Sequence, residues 1–432
     1  MKNKFYLVVS LFICSSCSVT NFFTPKAKIL KEPSKFRTVI KGNKFDELAQ
    51  NVRDFSSAFT FQAVSKLDDS HTNLAISPLS MYSALAVASA CSNGNTKDEL
   101  LNVLKTDEEL LKEEFGNLYS ASNDLRTRDR ENQVYKKEEL TNSLWIDKSV
   151  EFKSETLDML ADKFYSYSVK VDYLNNAKKA NRQMSKFVEE KTNGLLSPEF
   201  GFDANTVLTI LNTLYLKSLW NSSSDNIAVS DENYDFTNRN KTITSLKFLI
   251  TPYQKGKIFK TTNYSSFFAE TAGQDRVNFI VPNDGIGLDE LVIPEVFSEV
   301  LNHDFNGYDE ENNTMYYGKT YFPAFEASGD VEAKDILKTM GVNDFFVDGR
   351  CDFSPLTDRL VYCDKVMHEA KLKVDKKGIE GAAYTAIEMK NESALFDEYE
   401  KVYEDFYVNK AFIYIVSDHN NLPTFAGIVN KI

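Results

Sequence analysis

The sequence predicts an α+β fold built around large β-sheets, and three observations carry that prediction. Helical and strand patterns are mixed along one chain instead of alternating regularly. The run TVLTILNTLYLKSLW (206–220) is almost entirely β-formers, as in a strand buried on both faces in mid-sheet. The 432 residues, 42 % hydrophobic and 13 % aromatic, are ample for one large core, and no Pro/Gly/Ser linker, repeat or low-complexity tract divides the body.

The elements follow in order. Apolar spacing predicts helices at 47–67 and 78–91. SNGNTKDELLNVL (92–104) supplies a turn and a helix start, with Thr96 and Glu99 at capping-box spacing. LTNSLWI (140–146) reads as a strand, and 176–192 as an amphipathic helix closed by Asn193-Gly194. Beyond the 206–220 run, strands are predicted at VNFIVP, VYCDKVMHEAKLKV, AFIYIVS and TFAGIVN.

The first residues, MKNKFYLVVSLFICSSC, carry Lys2 and Lys4, then an apolar run over 5–13 that is too short to span a bilayer. Residues 1–16 therefore read as a cleaved export signal. Small residues directly ahead of Cys17 resemble a bacterial lipoprotein signal, in which that cysteine receives the lipid; an ordinary secretory signal cut nearby is the alternative. The basic, unpatterned segment 17–46 reads as a flexible tether. The expectation is an exported protein, lipid-anchored to the bacterial cell envelope and touching the membrane through that lipid only.

Net charge is −13, or −15 once Lys2 and Lys4 leave, which argues against nucleic acid as a partner. Three cysteines remain in the body, Cys91, Cys351 and Cys363. A Cys351–Cys363 disulfide across SPLTDR and plain buried thiols are both open readings. HEAKL at His368 lacks the second histidine of a zinc protease, and there is no G-x-S-x-G elbow, phosphate loop or C-x-x-C. The carboxylates read as solvated charge. No catalytic residue, metal site or cofactor is nominated, so an enzyme gains no support.

One stretch, VDKKGIEGAAYTAIEMKNES (374–393), has two characters. Laid out as a strand, it places Ile379, Gly381, Ala383, Thr385, Ile387 and Met389 on one uncharged face. Glu380, Ala382, Tyr384, Ala386, Glu388 and Lys390 fall on the other. A segment that ends as a charged loop thus begins with a face fit for burial.

From about residue 47 to 432 the chain resembles the serpins. NLAISPLSMYSALAVASACSNGNTKDELLNVL is similar to that family's opening helices, and FVEEKTNGLL to the segment before its central strand. LNTLYLKSLW is similar to the strand itself, with Asn212 and Trp220 at the family's positions. FPAFEASGDVEAKDILKTMGVNDFF, VMHEAKLKVDKKGIEGAAYTA and AFIYIVSDHNNLPTFAGIVN resemble the later blocks.

The resemblance implies helices around a large central mixed β-sheet with smaller sheets, and an exposed reactive-centre loop at about 376–408. It also implies a monomer whose partner is a serine protease, with a cysteine protease as an alternative class. The loop is bait: once cut at the acyl-enzyme stage it inserts as a new strand and traps the protease. Gly378, Ile379, Glu380, Gly381, Ala382 and Ala383 match the hinge; Ser77, Ser80, Asn212 and His368 match the cluster that holds the sheet shut; Trp220 matches the point where insertion begins. Ile379 stands where inhibitory members have Thr or Ser, Gly381 and Tyr384 where they have Ala, and Lys376-Lys377 where they have acids.

Counting forward from Gly378 puts the cut between Glu392 and Ser393, with Lys390 and Met389 as rivals. Counting back from Phe412 lands at Glu400 and Lys401, because this loop is longer than usual. A cut at Lys401 would leave roughly 30 Å of slack chain, too much to pull a protease tight, which favours the forward count. The competing reading is a non-inhibitory carrier whose loop is cleaved without trapping.

Overall fold

The computed structural model describes residues 27–35, 42–128, 133–220, 227–363, 365–379 and 399–432. The expected export signal, Cys17, Glu380, Gly381, Ala382, Ala383, Met389, Lys390, Glu392 and Ser393 lie outside the described residues.

Helices start where the sequence gives them cause. Ser77 caps Pro78–Cys91: its Oγ accepts the Ser80 N–H, and Pro78 takes the first turn, where no backbone donor is needed. This helix is buried nearly all round and packs against the strands Leu208–Leu219 and Pro423–Val429. Helix Tyr173–Lys191 ends as expected, with Asn193 (φ 55°) and Gly194 (φ 81°) left-handed and the Gly194 N–H donating to the Glu189 carbonyl. The first helix, Asn43–Leu67, begins four residues before its predicted start at 47.

The expected capping box does not form. Helix Gly94–Val103 starts after Asn93, which puts Thr96 inside it. Thr96 Oγ1 accepts the Asp352 N–H instead, and Glu99 accepts from the backbone N–H groups of Asn343 (2.7 Å) and Asp344 (2.8 Å). The spacing is right, but tertiary partners take both side chains.

Three sheets organise the described residues. The main sheet runs, edge to edge, Lys28–Lys31, Ser166–Val171, Gln133–Asp147, Leu208–Leu219, Gly378–Ile379, Met367–Asp375, Phe325–Glu332, with Leu125–Arg128 paired to Gln133–Asp147. The second sheet stacks Arg276–Pro282, Phe412–Ser417 and Pro423–Val429 behind it. A third contains Thr314–Phe322, paired in parallel with Glu400–Tyr407. The main hydrophobic core is continuous across helices and sheets, and a smaller one around Trp145, Tyr173 and Met184 sits under helix Tyr173–Lys191.

One reading is corrected here and one open question is decided. Lys28–Lys31, expected within a flexible tether, is an edge strand with Lys28 opposite Lys170 and Ile29 opposite Val169. Four residues are too few to show a period, but Ser166–Val171 offers them an unpaired edge. Of the two open readings for Cys351 and Cys363, the free thiols hold, and the Cys363 Sγ donates to the Lys365 carbonyl.

A candidate gate in the main sheet

The strand Leu208–Leu219 is central, as predicted, but it is not buried evenly. Thr213–Leu216 is buried, whereas residues 208–212 are only half-buried. The cause is topological. Among the described residues, Leu208–Leu219 and Met367–Asp375 share no direct ladder; they are joined through the two-residue strand Gly378–Ile379. Ile379 lies opposite Ser218 on one side and Val374 on the other, fully buried. Below it a cavity of about 290 Å³ opens between the two strands, floored by Ser77 and Ser80, walled by Asn212 and His368, and roofed by Leu196 and Pro198.

The four residues expected to cluster do so. The Ser77 N–H donates to His368 Nε2 at 2.9 Å, and Ser77 Oγ donates to the Thr424 carbonyl at 2.7 Å. Ser80 Oγ donates to Asn212 Oδ1. Asn212 is held from behind by Asn142, whose Oδ1 accepts from Asn212 Nδ2 (2.6 Å) and from Ser83 Oγ (2.8 Å). The two strands are therefore linked through the first turn of helix Pro78–Cys91, with small neutral groups throughout. Because Nε2 accepts, the imidazole of His368 is neutral with its hydrogen on Nδ1. Burial lowers its pKa from 6.5 to about 4, so it stays neutral at ordinary pH.

Trp220 seals the upper end. Its Nε1 donates to the Asp375 carbonyl (2.7 Å) and its N–H to the Lys377 carbonyl (3.2 Å), across the top of Gly378–Ile379. Gly378 is required there: a Cβ would sit 2.2 Å from the Ser218 carbonyl oxygen.

Beside this junction lies a group the sequence reading missed. Lys136 stands opposite Ser218 and is fully buried. Its Nζ lies 2.6 Å from Asp275 and 3.4 Å from both Glu138 and Asp124. Asp418, also buried, completes the cluster, and burial pushes its carboxyl up to about 6. Burial likewise raises Glu138 and Asp275, while Glu138 and Asp275 hold the Lys136 ammonium charged against its own desolvation. KKEE in a charged run looked solvated. The available signal was the strand period, which puts Lys136 and Glu138 on the same face as buried Leu140.

Lys401, a rival for the cut bond, belongs to strand Glu400–Tyr407 and lies opposite Met315. A peptide bond held in a ladder is poorly offered to a protease cleft, which weighs against Lys401, and the strand puts the end of the loop ahead of Glu400, short of 408.

Comparison with known proteins fits this architecture. The profile of the family Serpin (serine protease inhibitor) matches residues 54–432. The chain is a serpin. Among its relatives, an uncharacterized serpin-like protein of Methanosarcina acetivorans is 25 % identical over 84 % of this chain and 82 % of its own. The corticosteroid-binding globulin of Bos taurus is 26 % identical, over 80 % and 83 % respectively. The native state of tengpin, a thermophilic serpin, superposes with a TM-score of 0.72 at 20 % identity, covering 94 % of this chain and all of tengpin. Serpins are typically protease inhibitors rather than catalysts, although some, as the globulin's name says, are carriers.

Proposed function

We propose that this serpin is a suicide substrate that traps a serine protease, with cysteine proteases as a second class. The observation that carries the reading is the gate: two neighbouring strands whose ladder, among the described residues, runs only through Gly378–Ile379, the first two residues of the bait segment. In this reading the protease nucleophile attacks the Glu392 carbonyl, forms the acyl-enzyme and releases Ser393 as a new N-terminus. The freed arm then enters the gap.

The register of Gly378–Ile379 supports that path. Each step forward along the arm is one step back along both neighbours. Gly381 then falls between Leu216 and Leu372, Ala383 between Leu214 and Ala370, and Thr385 between Asn212 and His368. Small residues meet the buried leucines, and the one hydroxyl meets the polar cluster. No charge enters, which matters because an unpaired buried charge would cost several kcal/mol. The Leu208–Leu219 strand runs out opposite Met389, so a protease carried on Glu392 would be drawn close against the foot of the sheet. About a dozen new ladder hydrogen bonds at roughly 1 kcal/mol each supply on the order of 10 kcal/mol, which makes the uncut form kinetically held.

The test is a panel of proteases followed by denaturing gels and mass spectrometry of the released C-terminal peptide. A gel-stable complex with cleavage after Glu392 supports the reading. Cleavage without a complex, and with no gain in heat resistance, would identify a carrier-type serpin instead. Export and anchoring through Cys17 are proposed from the sequence alone; loss of membrane association in Cys17→Ala tests them.

A further inference from the structure

Of the tyrosines that stand out from the surface, four lie together on the third sheet: Tyr403 (54 % exposed), Tyr253 and Tyr407 (40 % each) and Tyr308 (38 %). The arrangement is ordered. In the parallel register, Tyr317 lies opposite Tyr403, Lys319 opposite Asp405, and Tyr321 opposite Tyr407, all on the outward face. Both tyrosine pairs are stacked, with centroids 5.2 and 4.5 Å apart. Tyr253 meets the edge of Tyr403 at 4.9 Å, and Lys319 Nζ lies 4.1 Å over the Tyr253 ring. One carboxylate organises the set: Asp405 accepts from the hydroxyls of Tyr253 (3.0 Å), Tyr321 and Tyr407 (3.5 Å each).

Rings locked in this way have already lost their rotamer freedom, so a partner that covers them incurs little ordering cost. Tyrosine is also, with Trp and Arg, among the residue types enriched in binding hot spots. Three lysines, Lys255, Lys319 and Lys401, lie beside the rings, while Asp405, the carboxylate on the paired outward rows of Thr314–Phe322 and Glu400–Tyr407, is spent on hydroxyls. The face is therefore locally basic on a chain of net charge −13.

Position names the occupant. The strand Glu400–Tyr407 is the direct continuation of the bait segment, and its outward row, Lys401 to Tyr407, starts at the loop's foot. Protease–inhibitor interfaces bury about 800 Å² on each side, and a protease seated on a loop that ends at the start of Glu400–Tyr407 brings the rim of its cleft over the neighbouring surface. We propose that this tyrosine face is a second contact site for the protease held by the loop, selecting enzymes whose surface beside the cleft is acidic. The inference rests on the inhibitor reading only for the identity of the partner.

The experiment measures the rate of loop cleavage, with or without trapping, for the whole protein across a panel of acidic and basic proteases. Tyr253→Ser/Tyr403→Ser is expected to slow attack by the preferred acidic protease roughly tenfold or more. The same pair changed to Phe should keep most of the rate. Lys255→Glu/Lys401→Glu, at exposed positions that do not threaten folding, should slow attack and flatten its salt dependence. Rates that match wild type in the lysine variant and in a Tyr→Ser variant of unchanged melting temperature overturn the proposal. So does a preferred protease that is not acidic beside its cleft, or a panel in which no enzyme attacks the loop. The inhibitor reading is judged separately, by whether the attacked loop yields a gel-stable complex.

Discussion

The strand Leu208–Leu219 is fastened in two unlike ways. At Ser218 its neighbour contributes Lys136, buried among Asp275, Glu138, Asp124 and Asp418. Six residues away, roughly 20 Å along the strand, Asn212 is held by Ser80 and Asn142 with no charge involved. Buried charges resist separation because breaking the set strands an uncompensated ion. Neutral hydrogen bonds contribute only about 1 kcal/mol each and can be exchanged for others. The sheet is thus bolted at the end where, in the proposed mechanism, the arm would begin to enter, and merely buttoned where it would have to pass.

Breaking the charged end should have the largest effect. Lys136→Met leaves Asp275 and its neighbours buried without their cation, and should cost about 3–5 kcal/mol in the urea midpoint. If it costs no more than Asn212→Ala, the contrast between the two ends is wrong.

Acid should sharpen the comparison, because the two ends respond with opposite sign. His368 has a folded pKa near 4 against its ordinary 6.5, so its contribution is present above pH 6.5 and lost as pH falls toward 4. Asp418 is raised from 3.8 to about 6, so its penalty is absent below pH 3.8 and grows as pH rises to 6. Each amounts to about 3 kcal/mol at most. Urea midpoints of Asp418→Asn between pH 4 and 6.5 should climb more steeply with pH than wild type, and those of His368→Gln should flatten or fall.

Gly378→Ala comes next. Its methyl would press on the Ser218 carbonyl and Leu219 Cα, pushing the leading strand out at a cost of about 1–3 kcal/mol. Protease titrations should then show more cleaved and less trapped protein. The smallest effect belongs to Ser80→Ala, which removes one bond to Asn212 at about 1 kcal/mol. Its signature is kinetic: a shorter half-life of inhibitory activity on warming, with little change in the urea midpoint.

Sequence reading succeeded where local chemistry decides the structure. Apolar spacing placed the helix at 78–91, Asn193-Gly194 marked a helix end, and the β-rich 206–220 run marked the sheet's middle. The cluster of Ser77, Ser80, Asn212 and His368 was legible only through family likeness, since no spacing announces a contact between residues 77 and 368. It failed where distant partners decide. Thr96 and Glu99 were claimed by residues about 250 positions away. The burial of Lys136 was missed because, Glu138 on its own strand apart, its carboxylates Asp124, Asp275 and Asp418 come from other segments, and Asn142 was read only as part of a strand.

The placement of Lys28–Lys31 has a mechanical meaning. These residues close the far edge of the main sheet, on the half that would have to slide aside if a strand were added beside Leu208–Leu219. Any load on the chain ahead of Lys28 would therefore meet first the three residue pairs at that margin, backed by the Lys31–Asp158 ion pair and the Ser34 bonds to Ala161 and Asp162. Tension would loosen this short hem before it reached the strands that border the seam.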